Sequence, residues 1–222
     1  MESNFQQSEI KKKIKEYWNN PHQDYDGVSC HGVNSEIEKE LWENEIARLL
    51  RHRQNLKILD IGTGTGFLAL LLAGMGHRVT AVDWSMTMMQ KAKEKALASS
   101  IPIRFEVQDA ENLTFAEGSF DAVVSRHVLW TLADPLRASK EWARVTKPNG
   151  LVIADIPRRG SNSGKHHYGE DIGRSLPFGN GADPDEILTM FKQAGLSNLN
   201  LILMEKPGEQ HRKTLIIYGE RV

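Results

Sequence analysis

Short apolar runs alternate with longer amphipathic stretches through most of the chain. Seven runs have the length and the β-branched or leucine-rich character of strands: 57–61, 78–83, 103–109, 120–125, 151–156, 198–206 and 213–222. Three stretches between them have the character of helices: 67–75, 85–98 and 135–145. Apolar strands that alternate with helices are typical of a parallel sheet covered on both faces. The pattern therefore predicts an α/β fold with three layers.

The last two apolar runs, 198–206 and 213–222, are joined by only six residues, PGEQHR. A parallel connection needs a crossover of a dozen or more residues, usually a helix, so these two strands must pair antiparallel. The sequence predicts a seven-stranded, mostly parallel sheet with one antiparallel C-terminal strand.

The segments outside the alternating pattern suggest how the domain is divided. Residues 1–52 are predicted to form an N-terminal helical lid or substrate segment of the same domain, and 53–222 form its core. Residues 158–181 contain six glycines without a period and are predicted to be a loop insertion, which at that length is usually functional or disordered. Asp183, followed by a proline, marks the start of another helix.

Composition adds only broad constraints. A chain of 222 residues with 40% hydrophobic residues suits one domain, and a net charge of −1 gives no reason to expect nucleic acid or a membrane as a partner. The single cysteine forms no internal disulfide and fits a reducing cytoplasm. The polar start of the chain lacks the apolar run of a signal peptide. No group with ligand spacing predicts a metal site.

A glycine-rich turn follows the first predicted strand and opens a helix. Gly62, Gly64 and Gly66 allow the backbone to pass close to a ligand. Asp83 ends the second strand, 21 residues after Gly62, where a carboxylate can accept both hydroxyls of a ribose. The third glycine of the dinucleotide fingerprint is replaced by Phe67. The loop therefore favours an adenosine-bearing ligand without a diphosphate over NAD.

Five motifs extend this pattern: LDIGTGTG at 59–66, VDWS at 82–85, QDAENLTF at 108–115, FDAVVSRHVLW at 120–130 and EWARVTKPNG at 141–150. Together they resemble the class I S-adenosylmethionine-dependent methyltransferases, most closely the small-molecule group typified by the ubiquinone and menaquinone biosynthesis enzymes. The resemblance covers about Lys57 to Ile156. It implies a Rossmann-like fold and S-adenosylmethionine as methyl donor.

The resemblance also implies which residues hold the donor. The residues expected around its methionine portion are Asp60, Gly62, Thr63, Gly64 and Gly66. Asp83 is expected to hold the ribose and Trp84 to lie against the adenine, while Asp109 binds the adenine amino group with Ala110 beside it. A turn-capping role for Asp109 and a core role for Trp84 are the structural alternatives.

The end of the fourth strand supplies the candidates nearest the reacting methyl group. Ser125 and Arg126 are expected to contact the donor, and His127 can orient or deprotonate an acceptor. Methyl transfer from a sulfonium depends largely on proximity and exclusion of water, so a general base is needed only if the acceptor loses a proton. The alternatives are a packing role for Arg126 and a structural histidine at a helix start.

Two segments outside the motifs are candidates for acceptor binding. The first contains Tyr17, Trp18, Tyr25 and His31, and the second His166, His167 and Tyr168. In related methyltransferases such segments form a lid and shape the acceptor pocket, and we expect the two to close together. A helix packed on the sheet edge and a mobile solvated loop are the alternatives.

The sequence thus predicts an enzyme that transfers a methyl group from S-adenosylmethionine to a small-molecule acceptor and releases S-adenosylhomocysteine. It would act in the cytoplasm as a monomer or homodimer. A non-catalytic S-adenosylmethionine-binding module is the first alternative, and an NAD-dependent oxidoreductase is the second. An RNA methyltransferase is disfavoured by the neutral charge and the absence of a basic tail.

Overall fold

The computed structural model describes residues 2–20, 26, 36–161, 163–205 and 213–222. Seven strands lie in these ranges: β1 Lys57–Ile61, β2 Arg78–Asp83, β3 Arg104–Val107, β4 Phe120–Ser125, β5 Thr146–Ile156, β6 Leu196–Glu205 and β7 Lys213–Arg221. The helices are α1 Glu2–Trp18, α2 Glu36–Leu49, α3 Phe67–Gly74, α4 Met86–Ala98, α5 Pro135–Val145, α6 Ser163–Ser175 and α7 Pro184–Gln193. A 3₁₀ turn spans Leu129–Thr131.

All seven strands form one sheet in the order β3-β2-β1-β4-β5-β7-β6. The pairs from β3 to β5 are parallel, whereas β7 runs antiparallel to both β5 and β6. The predicted mostly parallel sheet with one antiparallel C-terminal strand is therefore confirmed. The strand order reverses between β1 and β4, and a crevice at the carboxyl ends of the strands is expected at such a point.

The core occupies both faces of the sheet because successive strand residues point to opposite sides. On one face, Leu59 of β1 belongs to a buried cluster with Trp142 of α5 and Phe191 of α7. On the other face, Ile58 belongs to a cluster with Trp42 of α2 and residues of α3. The predicted three-layer arrangement is confirmed. None of the helices in the described ranges is both long and apolar enough to cross a bilayer.

The segment predicted to be an irregular loop, 158–181, contains helix α6, so that prediction was wrong for residues 163–175. The helix is kinked at Gly169, where φ is 81°. Other glycines of the segment serve close packing instead of irregularity. The backbone N–H of Gly164 donates to the carbonyl of Gly179 at 2.6 Å, and a Cβ on Gly173 would lie 2.5 Å from the nitrogen of Lys165.

One predicted element boundary differs from the structure, and another agrees with it. Strand β5 begins at Thr146 rather than at 151, because a register shift against β4 between Phe120 and Ala122 lets the turn before 151 stay in the sheet. Helix α7 begins as predicted. Asp183 and Glu186 form a reciprocal capping box around its first turn, with a proline in that turn.

Trp142 is a buried anchor of the first core cluster, and its indole N–H donates to the carbonyl of Ala110 at 3.0 Å. Replacing Trp142 by Phe removes that donor and leaves space beside the sheet. We expect the free energy of unfolding to fall by about 2–4 kcal/mol, measured by urea denaturation. As a control, Leu97→Ala at a position 82% exposed should change it by less than about 0.5 kcal/mol. A Trp142→Phe loss no larger than the control's would contradict the anchoring role.

Candidate active site

A cavity opens beyond the carboxyl ends of β1, β2, β3 and β4 and encloses about 680 Å³ of space, part of which is open to solvent. Its lining combines the glycine loop, the acidic ends of two strands, and aromatic residues. The described residues that line it are Trp18, Ile61, Gly62, Gly64, Val82, Asp83, Trp84, Met88, Gln108, Asp109, Ala110, Arg126, His127, Val128, Trp130, Thr131 and Leu132.

The glycine loop presents bare backbone to the cavity. Gly62 and Gly64 both have left-handed backbone angles, with φ of 65° and 55°. A Cβ at position 62 would lie 2.2 Å from Cγ2 of Val128. Glycine is therefore required at position 62 both by the backbone conformation and by the close packing of Val128.

Asp83 ties the glycine loop to the end of β2. Its Oδ2 accepts a hydrogen bond from the N–H of Gly64 and its Oδ1 from the N–H of Ser85, both at 2.8 Å. Burial raises the pKa of Asp83, and these backbone donors oppose the rise. Each carboxylate oxygen can accept more than one hydrogen bond. The geometry therefore leaves acceptor capacity for the two hydroxyls of a ribose.

Asp109 and Trp84 lie at the far end of the same cavity. Asp109 follows β3, and its Oδ1 accepts a hydrogen bond from the N–H of Glu111 at 2.9 Å. Its Oδ2 lies 2.9 Å from Nζ of Lys11, which shows that it accepts from an amine donor in this geometry. Ala110 lines the cavity beside it, and Trp84 adds a half-buried apolar ring. The acceptor oxygens of Asp109 and the apolar ring of Trp84 suit an adenine.

Lys11 of α1 fastens the N-terminal helix over this end of the cavity. Its Nζ also lies 2.6 Å from Oε2 of Glu111, a carboxylate whose other oxygen accepts from the N–H groups of Ala133 and Asp134. Burial lowers the pKa of Lys11, but the bonds to Glu111 and Asp109 raise it overall. We call α1 the lid helix.

The C-terminal end of the lid helix is held to the start of α4. The hydroxyl of Ser85 donates to the carbonyl of Trp18 at 2.8 Å, and that of Thr87 donates to the carbonyl of Asn19 at 2.9 Å. Trp18 therefore lies at the cavity wall with its backbone fixed beside the loop that carries Asp83.

Arg126 and His127 follow β4 and line the cavity opposite the lid helix. Arg126 is only 7% exposed, and its guanidinium lies over the rings of Trp42 and Phe67 at 5.5 and 5.0 Å. The backbone N–H of His127 donates to Oδ1 of Asp155 at 2.5 Å, and its ring Nδ1 lies 3.0 Å from Oδ2 of the same carboxylate. Phe67, the departure from the dinucleotide pattern, thus packs against Arg126.

Four predicted donor-binding residues support the loop from outside the described lining. Asp60 is 1% exposed and accepts a hydrogen bond from the hydroxyl of Thr63 at 2.7 Å. Burial raises the pKa of Asp60 to about 7, although the bond from Thr63 opposes this. Ser125 donates to the carbonyl of Ile61 at 3.1 Å. Gly66, with φ of 90°, allows the close approach of α4 to the start of α3.

An aromatic cluster of the lid helix, α6 and the 3₁₀ turn forms the remaining wall. It comprises Tyr17, Trp18, Trp130, His167 and Tyr168, and the indole N–H of Trp18 donates to the hydroxyl of Tyr168 at 2.7 Å. Trp130 lies between the cluster and the cavity, with its ring centre 4.9 Å from that of His167. The structure therefore brings the two predicted acceptor segments together.

The other predicted acceptor residues have different positions. His166 is exposed on α6. Tyr25 and His31 lie outside the described residues. In the part of the chain that the structure describes, no group of three histidine, cysteine, aspartate or glutamate side chains could hold a metal ion.

Sequence reasoning missed three residues that shape the site. Lys11 is one of several lysines on a polar helix, and nothing in the sequence links it to Asp109. Asp155 stands in an apolar strand, where an isolated acid is a signal for a buried polar contact. Trp130 ends the fourth motif, and it is both buried and part of the cavity lining.

The fold is that of a Rossmann-like α/β domain. Residues 59–154 match the family model described as a methyltransferase domain. The resemblance that the motifs predicted is confirmed by this match and by the similar proteins described next.

Two curated relatives are identical to this chain at about a third of the aligned positions. The malonyl-acyl-carrier-protein O-methyltransferase of Erwinia pyrifoliae is 36% identical over 152 residues, covering 67% of this chain and 55% of that protein. The ubiquinone biosynthesis O-methyltransferase of Xanthomonas oryzae pv. oryzae is 33% identical over 155 residues, covering 68% and 65%. The chain thus spans less than two thirds of the length of these relatives.

Two solved structures share the fold at low identity. The 4+2 cyclase SpnF gives a TM-score of 0.68 with 17% identity, covering 96% of this chain and 93% of that one. A phosphoethanolamine N-methyltransferase of Haemonchus contortus, solved with S-adenosylhomocysteine, gives 0.62 with 19% identity, covering 81% and 52%. The same fold therefore occurs in a protein titled a cyclase and in one titled a methyltransferase.

The raised pKa of Asp60 has a consequence for stability. Between about pH 4 and about pH 7 the folded protein keeps a proton on Asp60 that the unfolded chain releases, so this carboxyl lowers the unfolding free energy as the pH rises through that window. Asp60→Asn has no such proton. We expect its melting temperature, relative to the unsubstituted protein, to improve from about pH 5 to about pH 7 and to level off above that.

Asp121→Asn is the matched control for this measurement. Burial alone would raise the pKa of Asp121, but Lys147 lowers it overall, so the carboxyl is ionised in both states over the same range. Its melting-temperature difference should be nearly constant. A constant difference for Asp60→Asn as well would show that Asp60 ionises normally.

Proposed function

We propose that the protein transfers the methyl group of S-adenosylmethionine to a small-molecule acceptor and releases S-adenosylhomocysteine. One observation carries the proposal: Asp83 and Asp109 line a single cavity together with the bare backbone of Gly62 and Gly64. Carboxylates at those places suit the ribose hydroxyls and the adenine amino group. The methyltransferase relatives and the family match support the same donor.

The residues act mainly by holding the reactants and excluding water. The donor supplies a sulfonium-bound methyl group, and its leaving sulfur needs no proton. We assign the methionine portion to the loop of Gly62 and Gly64 with Arg126 nearby, which directs the methyl group towards His127. Trp18 and Trp130 would close the acceptor side, where a dry, ordered site favours in-line displacement. His127 is the candidate group for orienting or deprotonating the acceptor.

The competing functions have less support. An NAD-dependent oxidoreductase would place a diphosphate at the third position of the glycine loop, where Phe67 instead packs against Arg126. A non-catalytic donor-binding module would not need a titratable residue at the methyl end of the cavity, yet His127 lies there. For the protein as a whole we propose a cytoplasmic enzyme, monomeric or homodimeric, without nucleic acid or membrane partners.

Asp83→Asn tests donor binding most directly, because it keeps the side-chain size and removes the charge. We expect the dissociation constant of S-adenosylmethionine and of S-adenosylhomocysteine, measured by calorimetry, to rise at least about tenfold, the effect of about 1.4 kcal/mol. Asp121 lies at the N-terminal end of β4, away from the cavity, so Asp121→Asn should leave both dissociation constants unchanged. Unaltered affinity in Asp83→Asn would remove Asp83 from the ribose site, and NAD binding by the unsubstituted protein would overturn the proposed function.

The acceptor can be sought with a methyl-labelled donor and an extract of cell metabolites, followed by identification of the labelled products. The catalytic proposal predicts transfer that depends on the protein and is inhibited by S-adenosylhomocysteine. Donor binding without any labelled product would instead support the non-catalytic module.

Closure of the lid helix gives a second prediction. Lys11→Met removes the ion pairs to Asp109 and Glu111 at similar side-chain length. We expect chymotrypsin to cut after Tyr17 and Trp18 roughly tenfold faster, because hydrogen bonds between charged groups contribute on the order of 1.5 kcal/mol to docking. The donor should slow cleavage of the unsubstituted protein.

Lys12→Met is the control, since Lys12 is exposed and its ion pair is with the equally exposed Glu16 of the same helix. Its cleavage rate should match that of the unsubstituted protein. Equal rates in Lys11→Met, or no protection by the donor, would argue against a lid that closes on the cofactor.

A further inference from the structure

Both oxygens of the Asp155 carboxylate contact His127. It lies near the end of β5, is 2% exposed, and stands between the buried apolar residues Ala154 and Ile156. One oxygen accepts from the backbone N–H of His127 at 2.5 Å, and the other lies 3.0 Å from the ring Nδ1 of the same residue. Such two-point contact fixes both the backbone and the ring of His127.

This arrangement is costly for stability, which argues against a purely structural role. A buried carboxylate loses its hydration, and burial alone would raise the pKa of Asp155. Interactions with His127 and Arg126 lower it instead, so the group is ionised. His127 itself has φ of 61°, a left-handed conformation that is strained for a residue other than glycine. Strain of this kind is concentrated at functional sites.

An ionised partner at Nδ1 determines where the neutral imidazole carries its proton. Nδ1–H donates to the carboxylate, so Nε2 is the nitrogen that can take up a proton. His127 lines the cavity between Arg126 and Val128, at the end of β4 where the acceptor would meet the methyl group. His167 of α6 and Arg126 also interact electrostatically with this pair.

We propose that Asp155 is a positioning residue that holds His127 as the Nδ1–H tautomer, so that Nε2 removes the proton of a hydroxyl acceptor during methyl transfer. This inference rests on the proposed methyltransferase function and narrows it to O-methylation. The acceptor O–H proton passes to Nε2, the oxygen forms a bond to the methyl carbon, and the carbon–sulfur bond breaks with its electron pair left on sulfur. The imidazolium later releases the proton to water.

Nitrogen NMR of the full chain tests the tautomer without any acceptor. In the unsubstituted protein, Nδ1 of His127 should carry the proton and Nε2 should not, with His127→Gln used to assign the signals among the eight histidines. Asp155→Asn can donate to Nδ1 and should move the proton to Nε2. Asp121→Asn, another ion-paired carboxylate of the sheet, should leave the spectrum of His127 unchanged. A proton on Nε2 before substitution, or no change in Asp155→Asn, overturns the proposal.

A rate measurement separates positioning from structural support. With the metabolite extract and labelled donor, Asp155→Asn should transfer the label on the order of 10²–10⁴-fold more slowly, while the donor dissociation constant changes less than about threefold. His127→Gln combined with Asp155→Asn should be no slower than His127→Gln alone. Unchanged transfer, or a donor affinity that falls together with the rate, contradicts the proposal. Absence of transfer by the unsubstituted protein would count against the proposed function, and the NMR result would still decide the tautomer.

Discussion

The two hydrogen bonds accepted by Asp83 connect the parts on which the cavity is built. One comes from Gly64 in the loop after β1 and the other from Ser85 at the start of α4. These loops leave neighbouring strands, and without a shared acceptor their N–H groups would face the cavity unsatisfied. Because Ser85 also binds the backbone of Trp18, the same short segment positions both the ligand-facing loop and the lid helix. The ligand-facing loop and the lid helix are therefore held by the same segment.

The lid helix depends on polar contacts at its middle and at its C-terminal end. Lys11 binds Asp109 and Glu111, while Trp18 joins the aromatic cluster on α6 through Tyr168. Asp109 therefore contacts the lid helix and is also the candidate contact for adenine. In the proposed donor site, a ligand amine at Asp109 would contact the same carboxylate as Lys11, which would couple donor binding to closure. The ion pair itself links the N-terminal helix to the end of β3.

The fold could be predicted from the sequence to a large extent because its rules are local. Strands such as Lys57–Ile61 and Phe120–Ser125 match the apolar runs at both ends, and the short link before β7 fixed its direction. The glycines of α6 misled the prediction, since glycine signals both irregular backbone and close packing, and only the contact between Gly164 and Gly179 distinguishes them. Contacts such as Lys11 with Asp109 join residues far apart in sequence, and no spacing rule reveals them.

The buried charges beside the cavity lie at the ends of β1, β4 and β5. Asp60 and Asp155 are both almost fully buried, and the charge of Arg126 acts on each of them. One guanidinium cannot neutralise two carboxylates, and the two acids respond differently. Asp155, which also faces His127, has a lowered pKa, whereas the pKa of Asp60 is raised to about 7. The charge of Arg126 is therefore matched by that of Asp155, and the proton that Asp60 keeps up to about pH 7 prevents a second negative charge beside the cavity.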